Sequence, residues 1–240
     1  MIPAITPPLP TLPVSVLYNH THRLLVALDC IVFGYDEEAG LQILLVKRHL
    51  HPEKGSWALM GGLLNKDENL DQAAQRILYH LTGMTNVYLE ELKVFSCQHR
   101  DPVERTISVT YTALVDIHNY QHQLTEEFEA RWFPAAELPD LIFDHNEMVR
   151  YAKHHLKQKA ALQPIGFELL PDKFTFTQLR KLYDAIYETQ LDKGNFRRMM
   201  LATGLLVQLK EKDKTGSKKG AYFYQLNTQK YQDRLSTFFS

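Results

Sequence analysis

The chain has 240 residues, 45% hydrophobic and 23% charged, enough for one large or two modest domains whose core needs no staple. Its formal charge of −1 excludes a uniform polyelectrolyte, and no stretch approaches the roughly eighteen consecutive apolar residues of a membrane span. That charge hides an asymmetry: residues 160–240 carry 13 Lys and Arg against eight Asp and Glu, while the preceding 159 residues carry 14 against 20. A basic final third suggests a polyanion partner for that third alone. Two cysteines, Cys30 and Cys97, form no CxxC pair and are expected as buried thiols in a reducing cytoplasm.

Residues 1–13 hold five of the eleven prolines, with no basic start and no apolar run. They read as a mobile tail, not a signal peptide. Segments 24–35 and 41–47 are rich in Val, Ile and Leu and flank a polar turn ending at Gly40, the pattern of a hairpin. Residues 87–97 give a weaker strand. Residues 106–115 give a stronger one, in which Ser108, Thr110 and Thr112 form the wetter face. Helical spacing of Leu70, Ala73, Ala74, Ile77, Leu78 and Leu81, with Gly83 at the C-cap, predicts a helix over 69–81. A second helix spans 145–159, with Asp144 and Glu147 placed as a capping box.

Residues 163–166 read as a break between domains. Beyond it comes the β-prone stretch 174–176, then a helix capped by Thr177 with Leu179, Leu182, Tyr183, Ile186 and Tyr187 on its apolar face. Asp192 caps another helix over 193–202, and two strands, 205–209 and 221–226, flank a lysine-rich connection. Helix, turn, helix and basic hairpin is the order of a winged helix-turn-helix. In this arrangement Lys193, Asn195, Arg197 and Arg198 sit where a recognition helix meets base edges, and Phe196, Met199 and Met200 pack inward. Lys214, Thr215, Ser217, Lys218 and Lys219 in the wing suit phosphates.

One segment carries a longer signature. Gly62, Glu68, Arg76, Leu78, Gly83 and Met84 match the pattern G-x5-E-x7-R-E-U-x-E-E-x-G-U (U apolar), which resembles the Nudix box. Ile77, His80 and Leu81 stand where that pattern has glutamates. Positions i, i+3 and i+4 share a helical face, so glutamates there would converge on a hard divalent cation. Ile77 and Leu81 offer no ligand. Glu68 can still pair with Arg76 and hold the loop. The expectation is a catalytically degenerate box with no metal and no cofactor. The enzyme alternative, a hydrolase with relocated ligands, would need Asp101, Glu104, Glu126 or Glu127.

Together these features resemble the Nudix-related transcriptional regulators, from about Leu24 to Asn227. The segments Leu28-Asp29-Cys30-Ile31-Val32-Phe33-Gly34 and Arg100-Asp101-Pro102-Val103-Glu104-Arg105 look most like the arabinose-responsive branch. Gly194-Asn195-Phe196-Arg197-Arg198 points the same way. The resemblance implies an α+β fold: a tail over 1–20, a Nudix-like α/β/α sandwich over 21–160 that binds an effector, and a winged helix-turn-helix over 161–240 that binds DNA. It implies a cytoplasmic homodimeric repressor of sugar-utilisation genes that binds double-stranded operator DNA and senses a pentose such as L-arabinose. The alternative effector is ADP-ribose or a related nucleotide, and a further alternative has the C-terminal part binding protein. For the effector pocket the candidates are Asp29, Lys47, Trp57, Gln98, Arg100, Asp101 and Tyr111. Asp29 interrupts an apolar strand, so it either touches ligand or pairs with Lys47 or Arg48. Asp144 is expected as a helix cap, and His118, His122, His154 and His155 as surface residues.

Overall fold

A computed structural model describes residues 22–124, 126–162, 165–215 and 219–231, the side chain of His122 excepted. The expected tail over 1–20 lies outside the described residues. A seven-stranded mixed sheet comes first, in the order β3-β2-β1-β6-β5. These strands are β1 (Leu25–Asp36), β2 (Gly40–Lys47), β3 (Trp57–Ala58), β5 (Glu90–Phe95) and β6 (Thr106–Asp116). Two short strands complete it: β4 (Met60–Leu63) pairs with β1, and β7 (Arg131–Pro134) pairs with β2.

The sheet is covered on both faces, which explains why β1 has no polar side. Leu28, Cys30 and Val32 pack with Ala73, Ala74, Ile77 and Leu78 of α1 (Leu70–Thr82). Ile31, Phe33 and Tyr35 point the other way, into a core with Met148, Val149, Ala152 and Leu156 of α2 (His145–Leu162). Alternation across a strand puts neighbours on opposite faces, so a strand between two helical layers is apolar on both, with Asp29 the exception inside β1.

Halfway along, β1 changes partner on one edge. Residues Ala27 to Cys30 pair with β4, whereas Phe33 to Asp36 pair with β2. The far end of β2 turns instead to β3, at Val46 and Lys47. The two long strands therefore part company toward the start of β1, and a cleft opens there.

The loop into α1 keeps the box in shape. Arg76 Nε donates to Glu68 Oε2 at 2.8 Å, and Nη2 reaches Glu68 Oε1 at 2.5 Å and the Leu63 carbonyl at 2.9 Å. Asn69 caps the helix in a reciprocal box with Gln72, and Gly83 ends it in the left-handed region at φ 78°.

The second module contains α3 (Phe176–Tyr187), α4 (Lys193–Ala202) and a three-stranded sheet of order β8-β10-β9. Its strands are β8 (Phe174–Thr175), β9 (Leu206–Asp213) and β10 (Ala221–Leu226). Its core runs on into that of the first module: Ile165, Phe167, Leu179, Leu182 and Tyr183 share a cluster with Phe33 and Leu156. Outside this core, Lys181 and Gln178 of α3 hold Glu37 in the β1–β2 turn, both at 3.1 Å. Lys153 and Lys157 of α2 hold Glu188, just past α3.

Gln163 and Pro164 lie outside the described residues. Ile165, next to them, is buried: its N–H donates to the Tyr183 hydroxyl at 3.0 Å, and its carbonyl accepts from it at 3.3 Å. The two modules pack together at this junction. Several expectations need correction. Ser108 and Thr110, expected on a wet face, are fully buried because α2 and its neighbours cover that side of β6. Thr175, not Thr177, caps α3, in a box with Gln178. Cys97 is exposed; only Cys30 is buried. No helix among the described residues is long and apolar enough to cross a membrane.

The paired Arg76 holds the Glu68 carboxyl down at about 2, against an ordinary 4.5. A depressed folded-state value contributes stability above the unfolded value, and that contribution is lost as pH falls. Thermal unfolding between pH 5 and pH 2 should therefore show a steeper acid limb in the wild type than in Glu68→Gln. Parallel limbs would show that the pair adds nothing.

Candidate functional site

The cleft has a volume of about 530 Å³. Leu25, Ala27 and Asp29 of β1 form one side, Val46 and Lys47 of β2 with Arg48 another, and Gly61, Gly62, His80 and Leu81 of the box a third. Such a size suits a drug-sized ligand.

Its inner wall is a buried charge network. Asp29 Oδ2 accepts from Ser108 Oγ at 2.6 Å and from Arg100 Nη2 at 3.3 Å. Arg100 also grips Asp144 with two bonds, of 3.0 and 2.9 Å. His145 completes the set. Its Nδ1 accepts the Leu59 N–H at 3.1 Å, so the proton sits on Nε2, which faces Asp29 Oδ1 at 3.5 Å. Burial pushes the His145 pKa down, opposed by Asp29, and the ring stays neutral. Gly61 lies against this carboxylate: any Cβ there would collide with Asp29 Oδ1. The box face is apolar at its root. Ile77 is buried directly beneath Gly62, where an added Cβ would come within 2.9 Å of it. Leu81 is half-buried and His80 exposed. Imidazoles of His49 and His80 both rest on the Phe128 ring, at 4.9 and 5.2 Å.

The metal that the Nudix pattern calls for does not fit these residues. Hard cations take oxygen ligands, and the helix face offers two aliphatic side chains and an imidazole. Of the carboxylates considered as replacements, Asp101 and Glu104 line the cleft. No group of three or more His, Cys, Asp or Glu among the described residues is arranged to hold a metal ion.

Of the expected effector residues, Asp29, Lys47, Arg100 and Asp101 line the cleft. The other three lie elsewhere. Tyr111 donates its hydroxyl to Asp71 at 2.7 Å within the α1 core. Trp57 stands edge-on to Phe133 with Lys47 Nζ 4.4 Å over its ring. Gln98 is exposed in the turn before Arg100. Asp29 pairs with neither Lys47 nor Arg48, and the Asp144 carboxylate is turned to Arg100 instead of capping α2. Ser108, Arg48, Phe128 and His145 were not among the expected site residues. The one signal for His145 was its position next to Asp144.

In the second module, Lys193, Asn195, Arg197 and Arg198 are all exposed on α4, while Phe196 and Met200 are buried. Asp192 caps the helix through the Asn195 N–H at 2.8 Å. Arg198 Nη2 donates to Asn195 Oδ1 at 3.0 Å. Arg197 faces the other way. It donates to the Tyr224 hydroxyl at 2.7 Å, and its guanidinium lies 4.5 Å from the Phe176 ring. Tyr224 passes the chain on to Gln208 Oε1 at 2.9 Å. Met199, expected inside, is 52% exposed. In the wing, Lys214, Thr215 and Lys219 are exposed, and Thr215 is folded back onto Asp213; Ser217 and Lys218 lie outside the described residues.

Comparison with known proteins agrees with this pairing of modules. The NUDIX domain family matches residues 23–152, and the NrtR DNA-binding winged helix domain family matches residues 166–226. An ADPR responsive transcriptional repressor, NtrR, of Acinetobacter baylyi is 33% identical over 211 residues, covering 86% of this chain and 84% of its own. Shewanella oneidensis NrtR complexed with a 27mer DNA aligns with a TM-score of 0.70 at 28% identity, over 86% of this chain and 95% of that one. The NUDIX domain of the same protein, complexed with ADP ribose, aligns with a TM-score of 0.52 at 30% identity, over 61% of this chain and 99% of that one. A Nudix fold with a box helix of altered face, joined to a winged helix of this kind, places the chain in the family of Nudix-related transcriptional regulators of the NrtR type.

Proposed function

We propose that the chain is a transcriptional repressor whose Nudix module senses ADP-ribose and whose winged helix binds operator DNA. One observation carries the sensing role. The box keeps its scaffold pair, Glu68 and Arg76, while Ile77, His80 and Leu81 replace the ligands a hydrolase would use. A retained shape with altered chemistry suits binding without turnover. The relatives' effector supports ADP-ribose over L-arabinose, and a cleft of about 530 Å³ has room for more than one sugar ring. We read residues 21–160 as the sensor and 161–240 as the DNA-binding part, acting in the cytoplasm as a homodimer on two half-sites.

Asp29, Arg100 and Asp144 shape the cleft wall in this reading, and Lys47, Asp101 and Arg48 border the ligand. The route to DNA runs along β1 and β2. Both strands leave the cleft and end in the turn whose Glu37 is held by α3. An effector that favours one placement of this turn shifts the population of DNA-competent winged helices.

Four outcomes are expected. First, ADP-ribose should raise the melting temperature, since a ligand of the native state stabilises by RT ln(1 + [L]/Kd). L-Arabinose at the same concentration should not; the reverse order would restore the pentose reading. Second, no sustained ADP-ribose hydrolysis should be seen with Mg2+ at high enzyme concentration; turnover would favour the enzyme reading. Third, Arg198→Ala should lower DNA affinity by about 1–3 kcal/mol and relax one base position. Arg197→Ala and Tyr224→Phe should weaken binding to all sequences alike without changing base preference, because Arg197 braces α4 on the wing; loss of preference at one base would make it a reader instead. Fourth, Arg100→Leu takes the guanidinium from the buried Asp29, which keeps only Ser108 and His145, and from the half-buried Asp144, and should cost about 3–5 kcal/mol in urea unfolding. A loss within error of zero would mean the wall does not depend on it.

A further inference from the structure

We propose that the cleft seats the effector's pyrophosphate directly on N–H donors of basic side chains, Arg48, His49, His51 and His80, without a divalent metal. This rests on the ADP-ribose reading and specifies its chemistry. In a metal-dependent box the helix face is acidic, and the cation it collects reverses the sign of the field that phosphate meets. Here that face carries no acid. The cleft's own carboxylates stand apart from it. Asp29 is consumed by Arg100, Ser108 and His145 on the inner wall. Asp101 takes the Val103 N–H at 2.9 Å, and Glu104 is exposed.

Around the box, the lining groups are basic. Arg48 is anchored through Nε alone, which donates to the Leu50 carbonyl at 3.0 Å and the Pro52 carbonyl at 2.7 Å. Its terminal nitrogens have no hydrogen-bond partner among the described residues, and they form the paired fork that binds phosphate oxygens best. The guanidinium is steadied by the Phe143 ring at 5.2 Å. His49 and His80 both contact the Phe128 ring, His49 tilted and His80 edge-on, and their ring nitrogens have no hydrogen-bond partner among the described residues. His51 borders the same space. An Mg2+ ion placed here would face a guanidinium and imidazoles, with no carboxylate at positions 77, 80 and 81 of the box helix to hold it. A pyrophosphate placed here would meet N–H donors already held in place.

Calorimetric titration of the full chain with ADP-ribose, once in EDTA and once in excess Mg2+, tests this. The dissociation constants should agree within about threefold, less than the 1.4 kcal/mol of a tenfold change. His80→Glu, on an exposed helical position, should weaken binding in EDTA more than about tenfold by setting a carboxylate against phosphate, and Arg48→Met should do the same by removing the fork. Thermal unfolding of the unliganded variants checks that both remain folded. Binding that requires Mg2+ would overturn the seat and leave the effector reading intact. Binding unaffected by either substitution would place the pyrophosphate elsewhere. No binding in either buffer would remove both the seat and the effector reading.

Discussion

The structure turns on one carboxylate in the wrong place for a strand. Asp29 sits in the middle of an apolar run, buried between two helical layers. A lone buried charge costs several kcal/mol, so the fold must bring it partners. Arg100 arrives from the loop before β6, Ser108 from β6 itself, and His145 from the first turn of α2. Arg100 then needs a second carboxylate, and Asp144 supplies it. Each partner fixes a segment: the 96–105 loop, the entry to α2, and through the Leu59 N–H the strand pair that carries the box. Gly61 follows from the same constraint, since only a residue without Cβ fits against Asp29. The wall of the cleft is this network, seen from solvent.

From that wall the rest of the molecule follows as mechanical consequence. β1 carries Asp29 near one end and the Asp36–Gly40 turn at the other. The turn meets α3 through Glu37, and α2, which begins at His145, meets the same region through Lys153, Lys157 and Glu188. Both elements that leave the network therefore end on the winged helix. With the cores of the two modules continuous, a small rearrangement at the cleft has two rigid routes to the DNA-binding part. Within that part, Arg197 ties α4 to β10, so helix and wing move as one body.

Much of this was legible in the sequence where short-range pattern decides. The box spacing gave Glu68–Arg76 and the apolar root at Ile77 correctly, because both are local to one loop and one helix. Asp192 and Gly83 marked helix ends for the same reason. Long-range pairing left no such trace. Asp29 was recognised as anomalous, but its partner Arg100 lies 71 residues away, and no periodicity links them. Strands β3, β4 and β7 have four residues or fewer, too few to show alternation, and β4 carries two glycines. Trp57 and Tyr111 lie outside the cleft, against Phe133 and in the α1 core, because residue type alone does not say which way a strand residue faces. Arg197 and Arg198 are adjacent and identical in kind, and only the register of α4 against β10 separates the one bonded to Tyr224 from the one bonded to Asn195.

The claim that joins both modules is that effector and DNA are linked. Fluorescence anisotropy of a labelled duplex, recovered by selection from a random pool with the full chain, measures it most directly when ADP-ribose is titrated into the complex in EDTA. The account predicts dissociation that saturates with the effector's own binding curve and needs no Mg2+. Equal affinity for the duplex with and without saturating ADP-ribose would contradict it.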